Sequence, residues 1–210
     1  MCGLAASFNT AKFKKLMKAN AYRGQYSHSY AFYNPAQELP GMTTLLKSMG
    51  PFKPDQYWKI PKNHYAIGHV QAPTTENSNS GTIHPAIDGY NRMLWHNGIL
   101  KPETIYKLKQ KYVTDENWDS LLLLQYISNN SVPKNIDGTF ACIMYEKPYF
   151  YIFRNEIAPL FVDADINISS VKFDGSYSLA PNQMFRLDLG TKSYVPVRSK
   201  FTTLNNPYDI

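Results

Sequence analysis

The sequence predicts an α+β fold in which packed sheets carry helices on their outer sides. Three observations lead there: short apolar or aromatic runs recur along the chain, a few stretches have helical spacing, and turn residues separate them. Tyr and Phe number 16 and 11 among 210 residues, which favours a sheet-rich interior. At 43% hydrophobic residues, a chain of this length can build one core and one domain.

Residues 3–8 are small and apolar and read as a buried first strand. Residues 11–19 set Phe13, Leu16 and Met17 on one helical face, with Asn9 or Thr10 as the cap. Residues 28–33 read as a strand, and the Pro- and Gly-rich stretch 34–63 as an irregular excursion with a short helix over 43–48. After a strand at 65–70 comes a polar, turn-rich stretch at 73–85, a length that is usually functional or mobile. Residues 93–96 make a short strand that ends at Asn97-Gly98, a hairpin signal. Helices are expected at 102–112 and 118–128, the second burying residues 121–124. Paired strands at 138–145 and 149–154 meet at Lys147-Pro148, and further strands are expected at 160–162, 169–173, 184–189 and 194–197.

Several function classes drop out on composition. No apolar run approaches the roughly 18 residues of a membrane span. The short apolar stretch 4–8 is followed, not preceded, by Lys12, Lys14 and Lys15, the reverse of a secretory signal, so the expected location is the cytoplasm. Cys2 and Cys142 are the two cysteines, too few for a multi-cysteine zinc site, and a reducing compartment argues against a disulfide. Cys142 lies in an apolar strand pattern and reads as buried and inert. His28, His64, His69, His84 and His96 are scattered with no H-E-x-x-H arrangement, so no metal is expected. The net charge of +6 raises the question of nucleic acid or another acidic partner, but no dense Lys/Arg block appears and a solvated basic surface is favoured.

Cys2 follows the initiator Met and precedes Gly3. Removal of Met1 places a thiol and a free α-amine on one residue. An α-amine has a reference pKa of roughly 7.7–8.0, so it is partly neutral near pH 7 and can take the thiol proton. It can later return that proton to a leaving amine, which is base-assisted nucleophilic catalysis without a histidine. Read alone, Cys2 is also compatible with an arbitrary second residue or with S-acylation beside the following lysines.

Across nearly its whole length the chain resembles the glutaminase domain of class II glutamine amidotransferases, a branch of the N-terminal nucleophile hydrolases. Met1-Cys2-Gly3 is similar to the family's start, and Tyr22-Arg23-Gly24-Gln25-Tyr26-Ser27 to its Arg-Gly-x-Asp-Ser turn, with Tyr26 where Asp is usual. Gly68-His69-Val70-Gln71-Ala72-Pro73-Thr74 resembles the Gly-His-x-Arg-x-x-Thr segment. His84-Pro85 and His96-Asn97-Gly98-Ile99 resemble the His-Pro and His-Asn-Gly pair. Trp118-Asp119-Ser120 is similar to the Asp-Ser/Thr-Glu helix start, with Leu121 replacing Glu. Asp137-Gly138-Thr139-Phe140-Ala141, and Arg154-Asn155 through Pro159-Leu160, resemble the later strand motifs. The order and spacing of these matches carry more weight than any one of them.

The resemblance implies a four-layer αββα sandwich over residues 2–190, with 191–210 as a C-terminal tail suited to docking. It also implies roles. Cys2 attacks the glutamine carboxamide, its α-amine is the general base, and Asn97 with the Gly98 N–H forms the oxyanion hole. Asp119 holds the substrate's α-ammonium, Thr74 and its loop close over the substrate, and Arg23 supports the nucleophile's surroundings. Gln71 occupies the position of the arginine that grips the α-carboxylate. On residues alone, Asn97-Gly98 is a hairpin turn, Asp119 offsets a helix dipole, and Arg23 is a surface ion pair. No cofactor is called for.

A bidentate Arg–carboxylate pair is roughly twice as strong as a neutral contact, so glutamine at position 71 matters. Another cation, Arg23 or Arg92, takes over; or a partner completes the site; or the substrate is an amide without that carboxylate. No ammonia-using segment follows the glutaminase-like region. The expected protein is therefore a stand-alone subunit that hydrolyses glutamine through a Cys2 thioester and passes ammonia to a separate synthase. The rival readings are an N-terminal cysteine hydrolase of a different amide, and a non-catalytic interaction protein that retains the fold.

Overall fold

The structure, a computed structural model, describes residues 2–36, 41–53, 59–72, 79–197 and 200–202. Its strands are β1 (Gly3–Ser7), β2 (Ser27–Asn34), β3 (Gly41–Met49), β4 (Tyr65–Gln71), β5 (Ala86–Ile87), β6 (Met93–Leu100) and β7 (Gly138–Glu146). Then follow β8 (Tyr149–Arg154), β9 (Phe161–Val162), β10 (Ile168–Ser169), β11 (Tyr177–Ser178), β12 (Gln183–Asp188) and β13 (Ser193–Pro196). The helices among the described residues are α1 (Thr10–Asn20), α2 (Pro102–Tyr112) and α3 (Asp119–Asn130). The strands form a seven-stranded sheet, ordered β11-β9-β10-β1-β4-β2-β3, and a six-stranded sheet, ordered β13-β12-β8-β7-β6-β5. The central pairings β1–β4, β2–β4, β6–β7 and β7–β8 are all antiparallel. The molecule is thus a mixed α/β structure of two antiparallel sheets and three helices.

Alternation along the strands explains how both faces of each sheet are buried. Leu4 and Ala6 of β1 join a cluster that also contains Ile67 of β4 and Trp95, Ile143 and Ile152 from the other sheet. Ala5, between them, packs with Phe13, Leu16 and Met17 of α1. The second sheet repeats the pattern. Trp95 and Ile143 point into the shared cluster, while Leu94, Cys142 and Met144 meet Leu108 of α2 and residues 122–124 of α3. Period-two alternation with apolar residues at every position requires a packing partner on each side.

α1 forms where its apolar spacing predicts. Asn9, rather than Thr10, caps it, its side chain accepting the Lys12 N–H at 2.9 Å. Phe13, Leu16, Met17 and Asn20 make the buried stripe. α2 starts with Pro102 at its first position, a site where the missing N–H costs nothing.

Three local expectations are corrected. Residues 43–48 are strand, not helix: they lie within β3, which pairs along β2 from Met49–Ser27 to Gly41–Asn34. Neither face of this edge strand is fully buried, every position being half-buried or exposed, so its apolar pattern lacks a clear period. Asn97-Gly98 is not a hairpin. β6 runs straight through it, paired from Met93↔Tyr145 to Leu100↔Gly138. Of the expected strand at 169–173, the ladder includes only Ser169. Within the expected tail, Ser193–Pro196 forms β13 and pairs with residues 185–188 of β12.

Trp95 has no solvent exposure in the cluster joining the two sheets. Trp95→Ala is expected to cost about 3–5 kcal/mol of unfolding free energy, read by urea denaturation. A loss below about 1 kcal/mol would place Trp95 outside a packed core.

Candidate functional site

The first residues of β1 lie beside the end of β4 in the seven-stranded sheet, against β6 of the facing sheet. Cys2 is 3% exposed. Its carbonyl accepts the Arg23 Nε–H at 2.8 Å, and its Sγ lies 3.5 Å from the Ala72 carbonyl. Burial pushes the thiol up to about 11; the Asp119 carboxylate adds to the rise, while the Ala72 carbonyl and Arg23 oppose it. The thiol is therefore protonated near pH 7, and its chemistry needs an adjacent base.

The Arg23-Gly24 turn is laid across the end of β4. The Tyr26 N–H donates to the Gln71 carbonyl at 3.0 Å. A Cβ on Gly24 would collide with the Gln71 and Ala72 backbone, so the turn reaches this close only with glycine. Tyr26 occupies the family's Asp position with its backbone alone accounting for this bond.

Asn97 is tied to β1 through Ser170. The Ser170 Oγ accepts the Leu4 N–H at 3.1 Å and an Asn97 Nδ2–H at 3.3 Å, and the Ser170 N–H returns a bond to the Leu4 carbonyl at 3.0 Å. The Asn97 Oδ1 is buried and has no partner among the described residues. Gly98 sits against the Thr139 carbonyl and the His96 ring, where a Cβ would run into the Thr139 oxygen. Asp119 is buried in the first turn of α3. Its Oδ2 accepts the Leu100 N–H at 3.1 Å and its Oδ1 the Ser120 hydroxyl at 3.2 Å. The helix-dipole reading and the site reading of Asp119 are thus compatible, since one carboxylate faces both α3 and the end of β6.

Of the residues singled out from the sequence, Cys2, Arg23, Gln71, Asn97, Gly98 and Asp119 gather at this junction, and Thr74 lies outside the described residues. Gln71 arrives with its amide committed to the interior. Its Oε1 accepts the Ser27 hydroxyl at 2.9 Å, and its Nε2 donates to the Thr82 carbonyl at 3.0 Å. At 4% exposure it fastens β2, β4 and the turn Ser80–Thr82 together. Arg92 is engaged elsewhere, pairing with Asp88 at 2.6 Å and Glu146 at 3.8 Å.

The sequence motifs include His69, His84, His96 and Ser120 without assigning them work, and Ser170 lies outside them. His69 donates from Nε2 to the His96 carbonyl at 2.9 Å and stacks on His84 with ring centroids 4.0 Å apart. Burial, the largest influence, brings His69 down to about 3 and holds His84 well below the usual histidine range, so both rings are neutral near pH 7. Among the described residues, no group of three or more His, Cys, Asp or Glu is arranged to hold a metal ion. No helix of the described residues is long and apolar enough to cross a membrane.

Gln71→Ala strands the Ser27 hydroxyl and the Thr82 carbonyl in a buried setting. The expected loss is about 1–3 kcal/mol of stability, measured by chemical denaturation; a neutral effect would mean that water replaces the amide. Gly98→Ala is expected to cost more, because the Thr139 carbonyl must move for the new methyl to fit.

No family model matches the sequence, and no curated protein matches it. Solved structures do. One is a glutamine phosphoribosylpyrophosphate amidotransferase from B. subtilis in complex with ADP and GMP, with a TM-score of 0.65 at 15% identity. Another is described as the allosteric regulatory enzyme of purine biosynthesis, with a TM-score of 0.65 at 16% identity. Each match covers 94% of this chain and 49% of the other, so the chain spans about half the length of these structures. The chain therefore shares its fold with the matched half of a glutamine phosphoribosylpyrophosphate amidotransferase.

Proposed function

We propose that the chain is a glutamine amidotransferase subunit that hydrolyses the glutamine side chain through a Cys2 thioester. The observation that carries this reading is the junction itself. Cys2, Asn97 and Asp119 come from three separate elements, yet Ser170 joins β1 to Asn97 and the Leu100 N–H joins β6 to Asp119. The fold shared with an amidotransferase supports the same reading.

In this mechanism, loss of Met1 frees the Cys2 amine. The amine takes the thiol proton as Sγ attacks the carboxamide carbon, and the Asn97 Nδ2–H and Gly98 N–H stabilise the oxyanion. The amine then protonates the departing ammonia, leaving a thioester. Water, deprotonated by the same amine, attacks the thioester carbon, and glutamate leaves as the thiol reforms. The α-ammonium rests on Asp119. Arg23, which already contacts Cys2, is the cation placed to meet the α-carboxylate in place of residue 71. The helices enclose the sheets as an αββα sandwich over residues 2–190, the subunit works in the cytoplasm, and the ammonia passes to a separate synthase.

A second reading is favoured by one observation. Because the Gln71 amide is consumed by Ser27 and Thr82, the site lacks the expected carboxylate grip, which suits an amide without an α-carboxylate. Assays on glutamine and on simple carboxamides separate the two readings.

Intact-mass analysis is expected to show a chain without Met1 that gains one adduct at Cys2 from diazo-oxo-norleucine. Cys2→Ala is expected to take no adduct and to lose glutamine hydrolysis, while Asn97→Ala lowers kcat by about 10²–10³. Undiminished hydrolysis by Cys2→Ala would sink the thioester mechanism.

A further inference from the structure

Three buried imidazoles and one hydroxyl meet behind the site. The His96 Nε2 lies 3.2 Å from the Thr139 carbonyl oxygen, and its Nδ1 lies 3.0 Å from the Ser120 Oγ. A carbonyl can only accept, so Nε2 carries an N–H and Nδ1 is the nitrogen left to accept from Ser120. The Ser120 Oγ is also 3.2 Å from the Asp119 Oδ1 and 2.9 Å from the His84 Nε2. The His84 Nδ1 lies 3.4 Å from the Gln71 Oε1, which can only accept, so Nδ1 carries the N–H and the His84 Nε2 is a further acceptor facing Ser120.

Ser120 therefore has one proton and three acceptors around it, Asp119 Oδ1, His96 Nδ1 and His84 Nε2. With the proton on Asp119, the His96 Nδ1 lone pair is buried and unmet. With the proton on His96, the Asp119 Oδ1 is free to accept from outside. A primary ammonium at Asp119 supplies that outside donor and releases the Ser120 hydroxyl to rotate onto His96. No covalent bond changes. His96 then has donors or acceptors matched at both ring nitrogens, while His69 holds its carbonyl. The His96 ring also abuts Gly98, where a Cβ would fall 2.7 Å from its Nε2.

We propose that Ser120 is a positioning residue that couples an ammonium on Asp119 to the strand segment His96-Asn97-Gly98. The proposal rests on the glutaminase reading for its substrate. It makes the site selective for amides that carry a primary ammonium, through kcat as well as through binding. The α-ammonium then reports its own arrival to the backbone that meets the oxyanion.

The test uses the whole chain with glutamine and with 4-carbamoylbutanoate, which keeps the carboxamide and carboxylate but lacks the ammonium. In the wild type, removing the ammonium is expected to lower kcat about 10–100-fold, the usual span of a coupling between two sites. In Ser120→Ala, kcat is expected to be low for both amides, with the remaining discrimination confined to KM, and Ser120→Thr restores the kcat ratio by keeping a hydroxyl. A wild-type kcat ratio that persists in Ser120→Ala overturns the proposal. A second measurement works without turnover. In Cys2→Ala protein, the His96 Nδ1 ¹⁵N signal is expected to shift with glutamate and not with glutarate, and no such shift with glutamate also overturns it. Failure of the glutaminase reading looks different: the wild type hydrolyses neither amide, and the imidazole signal still reads the coupling.

Discussion

The register of β1 against β4 is the constraint on which the rest of the molecule depends. Gly3 faces Val70, Leu4 faces His69 and Ala5 faces Gly68. A slip of one residue would send Leu4 and Ala6 toward α1 and Ala5 into the cluster between the sheets, reversing every side chain of the strand. It would also carry Cys2 away from Ala72 and break the Leu4–Ser170 pair that brings Asn97 to β1. The same apolar alternation that builds the core thus sets the position of the proposed nucleophile. Phe13 and Met17 reinforce the register, because they pack where Gly68 has no side chain to obstruct them.

The junction is polar but short of charge. His69 and His84 are neutral, Gln71 satisfies Ser27 and Thr82 without bringing a cation, and the Asp119 carboxylate is met by the Leu100 N–H and the Ser120 hydroxyl. An arginine at position 71 would need an anion to offset its desolvation. Glutamine meets the same neighbours as a neutral fastener. The substitution that looks like a lost ligand in the family pattern is, in this fold, a structural bond between β4 and the turn before His84. Buried polar groups of this kind are stable only as a satisfied set, which ties the rigidity of the junction to several residues at once.

Much of the architecture was legible from residue order. The spacing of Phe13, Leu16 and Met17 with Asn9 ahead of them marks α1, and residues 138–145 and 149–154 pair on either side of Lys147-Pro148 as expected. The errors have physical causes. Asn97-Gly98 signals a hairpin only when the partner strand comes next, but here the partner is β7, and α2 and α3 intervene. Residues 43–48 have no clear period because neither face of this edge strand is fully buried. Ser170 carried no signal at all, and Ser120 only its place beside Asp119 in a motif. A serine's role is decided by which distant acceptor lies within hydrogen-bond range of its hydroxyl.

By itself, the sequence determined the strand-rich fold class and the buried face of α1, because periodicity is a local property of the chain, and its resemblance to a known family nominated Cys2, Arg23, Asn97, Gly98 and Asp119. The tertiary structure alone decided that Gln71 turns inward, that β6 passes unbroken through Asn97-Gly98, and that Ser120 stands between Asp119 and two histidines. Those outcomes depend on distances between residues far apart in sequence, and a hydrogen bond is made or lost within a fraction of an ångström.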